Sequence, residues 1–253
     1  MGGTAFTDKY SISTVDKEVA NSIMGIIARN FEEEHYPVGN TENVILDKLD
    51  STGDIDVIIN LEKEDLFEKL GNISCCVERK TLANNVLTVF RYGGRFYQVD
   101  FMTTKNIELG KWLMKGNPNI NGPKGFVRNL LFAMLCKEMS QLCSREGIVT
   151  TRFTLTFPGE LRFSSTSSDG SVTKDIFIGD EKKIRSVLRL SIDTKKYKYD
   201  TFESVVDYLL EKDIYTCEEL LEKFSIYTEN AWSVKKAPGE REKAIEYIKS
   251  KQI

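Results

Sequence analysis

The first forty residues contain a helical pattern followed by a polar turn. Apolar positions recur at helical spacing between residues 19 and 31, after Ser13 and Asp16, whose separation is typical of a capping box. The pattern predicts a first helix that runs to about Glu34 and a loop over residues 35–40.

The spacing of apolar positions changes to that of strands after residue 50. Residues 53–61 alternate as a half-buried strand does, and residues 62–70 have the pattern of a short helix that ends at Gly71. Gly93-Gly94 is a strong hairpin signal. Three further strands are predicted at residues 73–79, 86–92 and 95–102.

The pattern becomes mostly helical after about residue 116. Gly122-Pro123 opens a long helix over residues 124–143, with Phe126, Leu130, Met134 and Leu135 expected in a core. A hairpin is predicted around Pro158-Gly159, with a polar loop over residues 164–171. The remaining predicted elements are a strand at 174–178 and helices at 182–188, 202–211, 217–224 and 239–250.

These elements predict an α/β (α+β) chain with two regions. Residues 1–115 should form a mixed sheet with flanking helices, and residues 116–253 should form a mostly helical C-terminal region with a β-hairpin. The second region is expected to close a cleft over the first and to select a substrate.

Composition limits the classes of protein to consider. The chain has 253 residues, 41% hydrophobic and 29% charged, which is typical of a globular protein. Residues 1–10 lack the pattern of a signal peptide, and the five cysteines lack zinc-ligand spacing. We therefore expect reduced cysteines and a cytoplasmic location without membrane contact. The net charge of −3 gives no overall attraction to nucleic acid, although a local basic patch stays compatible with it.

Three aspartates stand in apolar runs that are typical of strands. Asp54 and Asp56 are two residues apart, so they share one face of a strand while Ile55 and Val57 share the other. Asp100 lies in a second strand. Converging carboxylates repel each other unless a cation lies between them, and oxygen ligands suit Mg²⁺ or Mn²⁺. The alternative is three carboxylates at strand ends that face solvent.

These aspartates belong to a longer pattern. Val38-Gly39-Asn40, thirteen intervening residues, Asp54-Ile55-Asp56 and then Val99-Asp100-Phe101 resemble the DNA polymerase β-type nucleotidyltransferase superfamily. The resemblance implies a nucleotidyltransferase core in residues 1–115. It also implies transfer of a nucleoside monophosphate from a nucleoside triphosphate to a hydroxyl, with release of pyrophosphate and help from two metal ions. Asp54 and Asp56 would bridge both ions, and Asp100 would help to hold the ion that activates the hydroxyl.

A closer resemblance covers much of the chain. It is to uncharacterised phage-encoded nucleotidyltransferase-like proteins, which would place the chain in the cytoplasm of a host cell and which have no settled substrate. The segments that carry this resemblance are residues 53–56, 98–102, 111–112, 124–131 and 201–204.

The resemblance also suggests residues that bind phosphate. Gly39 would allow backbone N–H groups to approach a triphosphate. Asn40 stands where the superfamily usually has a serine, so its amide or the hydroxyl of Thr41 would take over that contact. A plain turn at Gly39-Asn40 is an equal alternative. Lys124 and Arg128 would share a helix face and contact phosphate or acceptor, or simply form a solvated face.

The sequence leaves the acceptor open between an RNA or DNA 3′ end, a protein side chain and a small molecule. A tRNA-like acceptor would require a local positive surface, for which Lys111, Lys115, Lys124 and Arg128 are candidates. The alternative function is a catalytically inactive nucleotide- or nucleic-acid-binding module of an antitoxin-like or regulatory kind. The oligomeric state stays open.

Overall fold

The computed structural model describes residues 4–83, 85–145, 148–157 and 159–252. Its fold is mixed α+β, with a five-stranded mixed sheet, a three-stranded antiparallel sheet and flanking helices that include a helical C-terminal region. The chain divides into two compact units, Met1–Pro118 and Asn119–Ile253. Among the helices described, none is long and apolar enough to span a membrane.

The first unit contains the five-stranded sheet, in the order β1-β2-β5-β4-β3. Strands β2 and β5 run parallel, and every other neighbouring pair is antiparallel. The elements of this unit are α1 (Lys17–Asn30), β1 (His35–Pro37), α2 (Gly39–Ile45), β2 (Ile55–Ile59), α3 (Lys63–Gly71), β3 (Cys76–Leu82), β4 (Asn85–Tyr92), β5 (Arg95–Thr103) and α4 (Ile107–Leu113).

One face of this sheet forms the main core of the unit. Ile55, Val57 and Ile59 alternate along β2 and are fully buried against helices α1 and α3. Each such side chain contributes about 1.5–3 kcal/mol when it leaves water. Because residues alternate in direction along a strand, this packing turns Asp56 of β2 toward the opposite face.

The second unit contains the three-stranded antiparallel sheet, in the order β6-β7-β8, and six helices among the residues described. Helix α5 packs against β6 and against helices α7, α8 and α10. The elements are α5 (Gly125–Cys143), β6 (Val149–Thr156), β7 (Glu160–Ser167), β8 (Val172–Ile178), α6 (Glu181–Val187), α7 (Phe202–Glu211), α8 (Cys217–Thr228), α9 (Trp232–Lys236) and α10 (Pro238–Lys249).

Several predicted boundaries are wrong for local physical reasons. Helix α1 is capped by Asp16, whose carboxylate accepts the Val19 N–H at 2.9 Å, and Ser13 does not cap it. The helix ends at Asn30 because Phe31 turns into an extended conformation and is buried in the core. The predicted loop over residues 35–40 is instead strand β1 followed by the start of α2.

Two predictions for the second half of the chain also fail. The polar residues 164–167 continue strand β7, since pairing with β6 and β8 satisfies their backbone groups without any need for apolar side chains. Helix α5 buries Val127, Arg128 and Leu131, whereas Phe126 and Leu130 are only partly buried. Met134 and Leu135 are buried as predicted, so the core face differs from the predicted one only in the first turns of the helix.

Candidate metal centre

The three aspartates converge on the face of the five-stranded sheet that lies opposite the main core. Asp56 and Asp100 are direct partners in the parallel pairing of β2 with β5, so their side chains lie side by side. Asp54 precedes Ile55, where β2 begins, so it lies at the entrance of the strand rather than inside it as predicted. One carboxylate oxygen from each aspartate lies within 4.8 Å of the other two.

Burial makes this concentration of like charge expensive. Asp54 is 7% exposed, and Asp56 and Asp100 are half-buried. Burial raises the pKa of Asp56 well above its usual range, and the neighbouring carboxylates Asp54 and Asp100 raise it further. Burial and then Asp54 raise the pKa of Asp100 to about 7, against the lowering effects of Gln98 and Lys80. A bound cation would remove this cost.

The donor set fits a hard divalent ion. All three side chains offer carboxylate oxygens, and no histidine or cysteine joins this cluster among the described residues. Oxygen-only coordination at this spacing suits Mg²⁺ or Mn²⁺ better than Zn²⁺, which prefers nitrogen and sulfur ligands. Asp54, Asp56 and Asp100 are therefore the residues that would hold such an ion.

Gly39 lies directly against the carboxylate of Asp56. A Cβ atom at Gly39 would lie 3.0 Å from Asp56 Oδ2, and its φ of +62° falls in the left-handed region that favours glycine. The Gly39 N–H donates to the carbonyl of Met114 at 2.9 Å. A Cβ at Gly116 would come within 2.5 Å of the Gly39 carbonyl, so a second glycine permits this close backbone approach.

Thr41 supports the strand that carries the aspartates. Its buried hydroxyl accepts the Asp56 N–H at 2.8 Å and lies 3.4 Å from the Asp54 carbonyl oxygen, to which it donates. The sequence suggested this hydroxyl as a phosphate ligand, but it is committed to the backbone on both sides of Ile55. Asn40 is half-buried in the first turn of α2, between Gly39 and Thr41.

Gln98 holds the third aspartate and was assigned no role from the sequence. Its Nε2 donates to both carboxylate oxygens of Asp100, at 2.9 and 3.0 Å. Its Oε1 accepts the N–H of Ala5 at 2.9 Å, and the side chain is buried. The sequence does contain a signal for it, because Gln98 is two residues before Asp100 and shares its face of β5.

Two of the predicted binding residues lie in the second unit. Lys124 is exposed at the N-cap of α5, where its backbone N–H donates to Glu240 at 2.9 Å. Arg128 is fully buried, and its guanidinium donates to the carbonyls of Tyr199 and Asp200 at 3.2 and 2.8 Å. The prediction that both residues share an accessible helix face is therefore wrong for Arg128.

The other two lysines considered for a positive surface lie in the first unit, and each is engaged locally. Lys111 forms an ion pair with Glu108 at 3.0 Å, and its ammonium lies 4.1 Å from the centre of the Tyr36 ring. Lys115 forms an ion pair with Glu42 at 3.2 Å. These contacts reduce the charge that either lysine offers to an acceptor.

Comparison with known proteins adds no family to this description. No protein-family model matches the chain, and no curated protein matches it. A function can therefore be inferred only from the residues of the site itself.

Proposed function

We propose that this protein is a metal-dependent nucleotidyltransferase that moves a nucleoside monophosphate from a nucleoside triphosphate to a hydroxyl acceptor and releases pyrophosphate. The observation that carries the proposal is the cluster of Asp54, Asp56 and Asp100, with carboxylate oxygens within 4.8 Å of one another. Their order along the chain and the glycine before them agree with the resemblance described above.

The position of each aspartate suggests its role in the transfer. Asp54 and Asp56 lie at the entrance and the second position of one strand, so both carboxylates would hold metal against the triphosphate. Divalent ions, when bound, supply positive charge that offsets the charge developing on the transferred phosphoryl group. Asp100 would help to hold the ion near the attacking hydroxyl and would orient that hydroxyl's proton.

The Gly39 segment would place the triphosphate. A Cβ at Gly39 would lie 3.0 Å from Asp56 Oδ2, so the lack of a side chain lets this segment lie beside the metal-binding carboxylates, while its own N–H is bonded to the carbonyl of Met114. Asn40, the next residue, carries an amide that can donate to a phosphate oxygen. Thr41 would act through the strand, because its hydroxyl fixes the backbone at Asp54 and Asp56.

A transfer assay tests the proposal. The wild-type protein would be incubated with each α-labelled nucleoside triphosphate, Mg²⁺ or Mn²⁺, and separate pools of RNA, DNA, protein and small hydroxyl compounds. Asp54→Asn/Asp56→Asn removes two candidate ligands, and Asp65→Asn on the exposed side of α3 is the matched control. We expect label in one pool with wild type and the control, and none with the double variant.

Two results would count against the proposal. Equal labelling by the double variant would show that Asp54 and Asp56 are not required for transfer. Metal-dependent binding of triphosphate without label or pyrophosphate release in any pool would favour the alternative, a nucleotide- or nucleic-acid-binding module without turnover.

A further inference from the structure

A short segment of the second unit carries a concentration of positive charge that the overall composition conceals. Residues 182–198, called the basic segment below, contain seven cationic side chains and one acid, Asp193. The segment has a formal charge of +6 in a chain of −3, and one of its cations, the buried Arg185, forms an ion pair with Glu181 directly before the segment. Its cationic residues are Lys182, Lys183, Arg185, Arg189, Lys195, Lys196 and Lys198.

Four of these lysines offer their charge to solvent. Lys182, Lys183, Lys195 and Lys196 are exposed, and none of the ion pairs in the described part of the chain includes them. Most lysines of the first unit, by contrast, have a carboxylate partner. The basic segment therefore has charge available for a polyanion.

The single acid of the segment stabilises its backbone. The carboxylate of Asp193 accepts the backbone N–H groups of Lys195 and Lys196, at 3.0 and 3.1 Å. The turn that carries the two lysines is thus held by the carboxylate of Asp193 through their backbone N–H groups. Both N–H groups bond to Asp193 Oδ1, and the side chains of Lys195 and Lys196 remain exposed.

A buried arginine holds the rest of the loop. The guanidinium of Arg185 is almost completely buried and donates to the carbonyl of Tyr197 at 2.7 Å and to those of Ser191 and Lys198 at 3.4 Å. Arg128 holds the next two carbonyls, those of Tyr199 and Asp200. Because these bonds already order the loop, little conformational entropy of the loop is lost when a ligand binds.

An aromatic ring lies among the fixed lysines. Tyr197 is half-buried, and its ring stacks on that of Tyr199 with centres 5.9 Å apart and planes 7° apart. The ammonium of Lys196 lies 5.0 Å from the centre of the Tyr197 ring. A cation beside an aromatic ring on a rigid loop can meet a phosphate and the base next to it.

We propose that the basic segment binds the sugar–phosphate backbone of a nucleic acid. The binding does not depend on transfer; only its interpretation as the site of the acceptor rests on the proposed function. Lys195 and Lys196 would contact phosphates, with Lys182 and Lys183 of α6 extending the contact. This surface replaces the one suggested from the sequence, in which Arg128 was to be accessible.

Binding of labelled 20-nucleotide RNA and DNA single strands to the full chain tests this proposal, over a series of salt concentrations. Lys195→Ala/Lys196→Ala is compared with Lys235→Ala/Lys249→Ala, an equal change of charge at two exposed lysines elsewhere in the second unit. Each phosphate contact to a single strand contributes a salt exponent of about 0.7, which is a factor of about 5 at 0.1 M salt. Two lost contacts predict affinity weaker by roughly 25-fold and a salt slope flatter by about 1.4.

A second pair of lysine variants and two other polyanions complete the test. Binding is measured without triphosphate or divalent metal ions, so it does not require transfer to occur. Lys182→Ala/Lys183→Ala is a second test on a different element and should also weaken binding. The proposal is overturned if Lys235→Ala/Lys249→Ala weakens binding as much as Lys195→Ala/Lys196→Ala does, or if neither nucleic acid binds at low salt. It is also overturned if polyglutamate or anionic vesicles bind as tightly as RNA and DNA.

Discussion

Buried charges in the two units differ in what surrounds them. Arg128, in the second unit, is fully buried beside two backbone carbonyls that accept from it, and although burial lowers its pKa to about 10, it stays charged at neutral pH. Asp56 and Asp100, in the first unit, lie beside each other and beside Asp54, and the pKa of both is raised. A buried charge that is hydrogen-bonded by the chain's own groups stabilises the fold. Clustered like charges destabilise it unless a ligand of opposite charge binds between them.

The largest expected effect is on the buried arginine, whose guanidinium donates to carbonyls of the chain itself. Arg128→Met keeps the length of the side chain but leaves the carbonyls of Tyr199 and Asp200 without these donors in a buried site. We expect the free energy of unfolding to fall by about 3 kcal/mol, as measured by urea denaturation. Binding of Mg²⁺ should be unchanged, since the aspartates belong to the other unit.

A matched arginine separates burial from charge in this experiment. Arg152→Met removes the same guanidinium from an exposed position on β6. Surface substitutions of this kind change stability by less than about 0.5 kcal/mol. Equal losses in the two variants would show that the carbonyl contacts of Arg128 contribute nothing specific.

A smaller effect on stability is expected when a divalent cation is added to the protein and binds the aspartate cluster. Mg²⁺ at about 100 times its Kd should stabilise the wild-type protein by about 2.7 kcal/mol, because it binds the folded chain alone. Thermal unfolding in EDTA and in Mg²⁺ measures this. Asp54→Asn/Asp56→Asn should lose the shift and should unfold at a higher temperature than wild type in EDTA, since mutual repulsion is removed. A metal-induced shift that survives in the double variant would place the ion elsewhere.

The same cluster predicts how stability depends on pH. Because the pKa of Asp100 is about 7 in the folded chain and about 3.9 when unfolded, the folded state holds more protons between these values. Stability in EDTA should therefore be greatest below about pH 4 for this group and should fall as pH rises through 7, because the folded chain must then give up a proton that the unfolded chain has already lost. Asp100→Asn should flatten the profile measured by urea denaturation, whereas Asp65→Asn should not. An unchanged profile in Asp100→Asn would assign the pH dependence to other groups.

Local sequence patterns predicted the first unit well where one face of an element is apolar. The alternation at residues 55–59 and the Gly93-Gly94 turn predicted β2 and the hairpin of β4 with β5, and the sheet pairs Asp56 with Asp100. Contacts between distant residues could not be predicted in this way. The burial of Arg128 depends on carbonyls about 70 positions away, and the role of Gln98 depends on a backbone N–H at Ala5. The positive charge of the basic segment was visible in the sequence, but its fixed loop was not.

The smallest expected effect concerns the group that orients the third aspartate. Gln98→Met fills a similar volume but removes both donations to Asp100, so this carboxylate loses its fixed direction. Residues that orient metal ligands typically change metal affinity by 10- to 100-fold, and we expect a Kd for Mg²⁺ about tenfold higher, measured by calorimetry. Thr88→Val is the matched control, because it removes a buried hydrogen bond to β5, 2.7 Å to the Val99 carbonyl, on the opposite face. Both variants should lose stability, but only Gln98→Met should lose metal affinity. The same Kd in both would reduce Gln98 to a structural residue, and the contrast between satisfied and unsatisfied charge would then rest on the three aspartates alone.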